Sequence, residues 1–442
     1  MVSPLEAQSH RDSTVLEPMN LPANQSKSQG ACRICRSPKL YGYLNMGRTP
    51  LANSYLREDE IEKAEFKEEL ALQVCADCGL SQLTKVVHPD LMFKHYLYVS
   101  STTETFRNHC AELARTSTTV ARCRPGDWVL DIASNDGCLL SKFRDLGMQV
   151  VGVDPAENLA AEANKAGVPT MCAYWSTETA EAMVERFGRP KVITATNVFA
   201  HVDDVHEFVR AMECCLASQG VFVIECPYVV DFIERNEFDT AYHEHLSYIG
   251  VHPLRVLMKQ HGFEVFRVEY FKDIHGGTIR VFVGQAGDYP IDPTVGMYLK
   301  KEEAFGITNL ARYEEFGKRV LQNKQHLVDL IRQLHADGKT IWAYGASAKG
   351  NTLMNYFGLS NKLIPVVIDD NPKKWGWYAP GSHMRITGIE ELAQSKVDYL
   401  LLLAWNFESE IRRRCRAVHY AGGFILPVPK ASILETTSGE PR

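Results

Sequence analysis

No run of apolar residues in this chain reaches the roughly 18 that a membrane span requires, so a soluble protein is expected. The N-terminus lacks the apolar stretch of a secretory leader, and an untargeted chain is the expectation. Positive charge is not in excess: 48 Lys and Arg face 54 Asp and Glu, a net charge of -6. That balance argues against a nucleic-acid binder, because affinity for phosphate backbones comes mostly from clustered basic side chains. A secreted disulfide framework is also missing. Of the 12 cysteines, four pair as Cys-x-x-Cys, and most others, such as Cys172, Cys215 and Cys226, stand singly in apolar surroundings as reduced core cysteines do. A reducing, cytoplasmic compartment is expected.

A chain of 442 residues with 45% hydrophobic content has room for two to four domains and a large buried core. Its centre is the stretch 128–154, WVLDIASNDGCLLSKFRDLGMQVVGVD, which reads as strand, tight turn, helix, strand. In such a unit the turn and helix N-terminus face a polar ligand, and the acid closing the second strand can accept from ribose hydroxyls. The turn is not G-x-G-x-x-G. Asp131, Ser134, Asn135, Asp136 and Gly137 make it acidic, which disfavours a pyrophosphate and suits a cationic or neutral nucleoside ligand. The interval from Asp131 to Asp154 matches the roughly 20 residues of nucleoside-binding crossovers. S-adenosylmethionine, a sulfonium without phosphate, fits better than NAD. Pro155, beside Asp154, and Asn197, at the end of the strand expected over 192–196, join the candidate cofactor residues, and His201 points from the same strand end toward a cleft.

Upstream, Cys32-x-x-Cys35 and Cys75-x-x-Cys78 form two knuckles that can close a four-thiolate zinc site, structural because no coordination position stays open. Residues 1–30, polar and aperiodic, read as a disordered extension. Tyr96, Tyr98, Ser100 and Ser101 precede an amphipathic segment over 106–122 and read either as strand and cap or as a substrate-facing loop rich in hydroxyl donors.

The densest chemistry is Tyr242-His243-Glu244-His245. General acid–base work, a second metal site and a polar surface loop all remain open for it. His275-Gly-Gly-Thr278-Ile-Arg280 opens a strand whose glycines permit close approach of a ligand, or a bulge. A second α/β unit begins near residue 340, and its loop Gly345-Ala-Ser-Ala-Lys349-Gly-Asn351 contains no acid and suits a phosphate.

Taken in this order, the Cys knuckles, Tyr-x-Tyr-x-Ser-Ser, DIASNDG, Tyr-His-Glu-His-x-x-Tyr, His-Gly-Gly-Thr-x-Arg and Tyr-Gly-Ala-Ser-Ala-Lys-Gly resemble the nucleotide-sugar C-methyltransferases over about residues 31–430. The resemblance implies an α/β protein with a zinc-binding domain over 31–105, a Rossmann-like S-adenosylmethionine domain over 106–285 and a Rossmann-like nucleotide-sugar domain over 286–442. It implies methylation beside the ketone of a dTDP-linked 4-keto deoxysugar. His245 is implied as the base, Tyr242 and Glu244 as its partners and His201 as a cleft residue. Tyr96, Tyr98, Ser100, Ser101, His275, Thr278, Arg280, Lys349 and Asn351 are expected to face the substrate, with Ser347 less constrained than Lys349. An O- or N-methyltransferase and a non-catalytic zinc-ribbon adaptor are the alternatives. The oligomeric state stays open, with a monomer compatible.

Overall fold

The computed structural model describes residues 26–28, 30–94, 101, 104–274 and 276–434. Its central layer is a seven-stranded sheet in the order Phe263–Phe271, Thr278–Gln285, Val221–Pro227, Val192–Thr196, Trp128–Ile132, Gln149–Asp154, Thr170–Cys172. The last five run parallel, while Thr278–Gln285 lies antiparallel at the other side. The parallel strands read as nearly unbroken apolar runs because helices cover both faces of the sheet. Strand order reverses between Trp128–Ile132 and Val192–Thr196, which opens a crevice at their carboxyl ends. The site sits in that crevice.

A second, six-stranded sheet repeats the plan near the C-terminus. Strands Arg385–Thr387, Val366–Ile368, Ile341–Tyr344, Tyr399–Leu402 and Gly423–Leu426 are parallel, and Ser432–Leu434 closes one edge antiparallel. The 27-residue helix Leu310–Ala336 connects the two units. Its Tyr313 and Phe316 pack on Tyr43, and Phe316 on Phe232. Among the described residues no helix is long and apolar enough to cross a membrane.

The third sheet is where sequence and structure differ most. Leu40–Pro50, Lys67–Cys75 and Ser81–Leu83 form an antiparallel N-terminal sheet. Its fourth strand is Ser247–Tyr248, which pairs with Gln82 and Ser81. The His-rich segment is thus stitched into the N-terminal domain. The extension expected over 1–30 contributes a short strand, Ser26–Ser28, on Lys85–Val87. Cys215 and Cys226 are buried as expected, but Cys172 is exposed because it ends a sheet-edge strand.

Candidate active site

The turn after Trp128–Ile132 is built from unusual backbone. Ala133 and Asn135 take left-handed conformations at φ 55° and 53°, and Gly137 at φ 76° caps the helix Cys138–Asp145. Non-glycine residues hold such angles only where their surroundings impose them. Here Asp154 does so: one carboxylate oxygen accepts the Asn135 N–H at 2.8 Å and the other the Ala156 N–H at 2.8 Å. Asp136 accepts from the Cys138 and Ser101 amides, so its charge organises the turn from behind. The Ser134 side chain packs over Gly152 of the next strand, where a Cβ would collide with it. Asp131 is buried and accepts the Thr194 hydroxyl at 2.6 Å. Burial pushes its carboxyl up to about 7, against the pull of that hydrogen bond.

In front of this turn lies a cavity of about 480 Å³, within the usual range for small-molecule sites. Asp131, Ser134, Asn135, Asp154, Pro155, Asn197, His201, Tyr242, His245 and Lys349 share its walls, and Val86, Val87, Met92 and Phe93 close the N-terminal side. Asp136 and Gly137 belong to the turn but not to the cavity wall.

At the middle of the cavity the His245 Nδ1 stands 2.8 Å from the Thr240 carbonyl oxygen. A carbonyl only accepts, so Nδ1 carries the proton and Nε2 is left with a lone pair. The Tyr242 hydroxyl sits 2.8 Å from that Nε2 and donates to it. The His201 ring lies 4.9 Å from the His245 ring, with Phe93 stacked on its other side at 5.6 Å. Burial pulls His201 down to about 4, so at neutral pH it is an uncharged donor or acceptor. His243 does not share this orientation: it turns to the Glu68 carbonyl at 3.2 Å. Among the described residues the group placed to hold a metal ion is the four-cysteine cluster, and His243 is not part of it.

Glu244, expected as a partner of His245, and several expected substrate contacts are directed elsewhere in this structure. Glu244 is buried and accepts from Asn53 of the N-terminal domain at 2.6 Å. Arg280 is fully buried and bonds Glu225 at 2.8 Å, Glu112 at 2.7 Å and Glu269 at 3.2 Å, so its guanidinium secures a helix and two strands and is not on the cavity wall. Asn351 is likewise fully buried and donates to the Ala52 carbonyl at 2.8 Å. The Thr278 hydroxyl donates to the Ile274 carbonyl, and Ser101 meets the turn through its backbone. Lys349 does reach the cavity, with its ammonium 5.2 Å above the Trp405 ring and no hydrogen-bond partner among the described residues. Ser347 caps its own helix by accepting the Gly350 N–H at 3.1 Å. Tyr96, Tyr98, Ser100 and His275 lie outside the described residues.

Most of the residues missed from sequence carry no chemical signature. Thr240 acts through its carbonyl, and Phe93 and Met92 are ordinary apolar side chains. Glu237 and Asp239, the buried carboxylates whose charges act on one another and on Lys349, could have been singled out as acids beside the His-rich segment. Burial pushes Glu237 up to about 8, with Lys349 opposing.

The four knuckle cysteines meet as expected. Their sulfurs all lie within 4.8 Å of one another, with Cys32 to Cys78 and Cys35 to Cys75 at 3.5 Å. A zinc–sulfur bond of about 2.3 Å gives a tetrahedral edge of about 3.8 Å, so the cluster fits the ion. Without a cation the crowded thiols cannot ionise together: hydrogen bonds from Cys32 and Cys78 pull Cys75 down while Cys78 is driven up.

Comparison with known proteins covers the same three regions. Residues 32–93 match a family described as "Putative zinc binding domain", 102–268 one described as "Methyltransferase domain" and 273–429 one described as "C-methyltransferase C-terminal domain". The chain is 36% identical over 409 residues to C-methyltransferase NovU of Streptomyces niveus, spanning 92% of this chain and 97% of that protein. It is 37% identical over 103 residues to a ubiquinone biosynthesis O-methyltransferase of Bradyrhizobium sp. (strain ORS 278), over 23% of this chain and 40% of that protein. Magnesium protoporphyrin IX methyltransferase from Synechocystis PCC 6803, solved with bound SAH, aligns at TM-score 0.33 and 11% identity over 41% of this chain and 83% of that one.

Proposed function

The chain belongs to the C-methyltransferases, and from that premise we propose that it methylates the carbon beside the ketone of a nucleotide-linked, dTDP-type 4-keto deoxysugar. S-adenosylmethionine supplies the methyl group on a sulfonium. Asp131, Ser134, Asn135, Asp154, Pro155 and Asn197 hold this donor: the strained turn presents its amides and hydroxyls, Asp154 retains lone pairs for the ribose, and Asp131 places negative charge behind the cation. The zinc site carries four protein ligands and takes no part in the chemistry.

One observation carries the reading. A histidine fixed in its basic tautomer by a carbonyl, with a tyrosine hydroxyl on its lone pair, faces the same cavity as the donor turn. A hydrogen beside a ketone becomes acidic only when the enolate oxygen is stabilised, so a base and a hydroxyl donor belong together. His245 is the base and Tyr242 the donor. In the resting site Tyr242 covers Nε2. When the ketone oxygen takes its hydroxyl hydrogen, Nε2 is released to accept the ring proton. His201, neutral, supports that oxygen from the adjacent wall. Lys349, across the cavity on the C-terminal unit, faces the nucleotide sugar with an unpartnered ammonium.

The test is hydrogen exchange without transfer. A panel of nucleotide-linked keto-sugars is incubated in deuterated water with the enzyme and S-adenosylhomocysteine, and label is sought at the ring carbon. Deuterium incorporation at one carbon, followed by methylation of that carbon with the full donor, is expected. Methylation of a hydroxyl or amine without exchange would turn the assignment to an O- or N-methyltransferase.

A further inference from the structure

Arg33 lies between the first two zinc-knuckle cysteines, yet it is fully buried. Its Nη1 donates to the Leu246 carbonyl at 3.1 Å and approaches the Leu83 carbonyl at 3.5 Å, while its Nε stands 3.5 Å from Asp203. Leu246 follows His245, and Asp203 comes two residues after His201. One guanidinium therefore holds the segments carrying both imidazoles of the site, whose rings are 4.9 Å apart.

The rest of the N-terminal domain grips the same segment. The Leu83 N–H also donates to Leu246 O at 3.0 Å, Ser247 and Tyr248 add a strand to the N-terminal sheet, and Asn53 binds Glu244. Arg33 is fixed in turn by its own backbone, which donates to Gln82 at 2.9 Å, while Gln82 reaches back to the Ala31 carbonyl at 3.2 Å. The donor turn takes no support from Arg33. Asp131, Asn135 and Asp154 meet a hydroxyl and amides of the central sheet and its turn.

From this arrangement we infer that Arg33 is a positioning residue for proton abstraction: the zinc knuckle sets the spacing of His245 and His201 through its guanidinium. The inference rests on the reading of His245 as the base. A planar group with donors in a fixed fork suits this task, because it hydrogen-bonds a carbonyl on one segment and forms an ion pair with a carboxylate on the other from a single rigid plane. Misplacing a reacting group by about 1 Å costs on the order of 10²-fold in rate, so the effect falls on chemistry while the donor site stays intact.

The experiment compares Arg33→Met, Arg33→Lys and Asp203→Asn with the parent chain for zinc content, donor affinity and exchange of the ring hydrogen with S-adenosylhomocysteine bound. For Arg33→Met, one zinc per chain, donor affinity within about twofold and exchange slowed about 10–100-fold are expected, with Arg33→Lys in between. Loss of packing alone would lower donor affinity and exchange together, so that result, or unchanged exchange, overturns the proposal. Should Arg33→Met not fold, Asp203→Asn is judged on the same split, since it loosens only one of the two tethers. His245→Asn separates the two claims. Exchange persisting in that variant overturns the base assignment, whereas exchange lost there and kept in Arg33→Met overturns Arg33 alone. Arg36→Gln, at the exposed end of the same knuckle, is expected to leave all three measurements unchanged.

Discussion

His245 offers Nε2 to a substrate only while Nδ1 keeps its proton, and the Thr240 carbonyl enforces that state. Asn in its place cannot accept the ring hydrogen, so His245→Asn is expected to cut turnover about 10²–10⁴-fold, the size of a general-base contribution. Donor affinity, measured by titration, should stay near that of the parent. Asp131 predicts a pH effect on binding. Its carboxyl is raised in the fold to about 7, so the stability it contributes is complete below its unfolded value and fades as pH rises through 7. A sulfonium nearby favours the ionised form. Affinity for S-adenosylmethionine relative to neutral S-adenosylhomocysteine should therefore grow about three- to tenfold between about pH 6 and about pH 8, and a flat ratio would detach Asp131 from the donor. Arg280 belongs to the framework: Arg280→Met leaves Glu225 buried without its guanidinium and should cost about 3–5 kcal/mol, read from the urea midpoint.

At the scale of elements, the parallel strands and the donor turn were legible because their signals are local. Val192–Thr196 and Gln149–Asp154 are buried on both faces and stand out as apolar runs ending in polar residues. The amphipathic segment expected over 106–122 is the helix Glu104–Val120. Strand Ser247–Tyr248 was not legible, since two residues carry no periodicity and the partners that define it, Ser81 and Gln82, lie far upstream. The same holds for Gly152. In sequence it is one small residue in VVGVD, but in the fold it leaves room for the Ser134 side chain. An added methyl must move that short side chain and the strained turn with it. Gly152→Ala is expected to weaken donor binding by about tenfold or more at nearly unchanged zinc content, with calorimetric titration as the measurement.

At the scale of the molecule, the cavity is walled by the central sheet, by Val86 to Phe93 of the N-terminal region and by Lys349 of the C-terminal unit, and the chemistry depends on how they meet. Motif order indicated three domains, but nothing in the sequence says that Arg33 reaches a carbonyl 213 positions away. The sequence alone suggests that losing zinc harms solubility more than chemistry. The sheet that includes Ser247–Tyr248 changes this expectation, because the knuckles hold Arg33 and the strands that grip the His245 segment. Cys75→Ser should lower zinc below one per chain, and exchange of the substrate hydrogen should fall about tenfold or more. Donor binding should be far less affected, since Asp131, Asn135 and Asp154 are fixed within the central sheet. Zinc analysis, donor titration and exchange on one preparation check this. Full exchange in a zinc-free sample would mean that the N-terminal domain keeps its grip without the ion, and that the central and C-terminal sheets suffice to hold it.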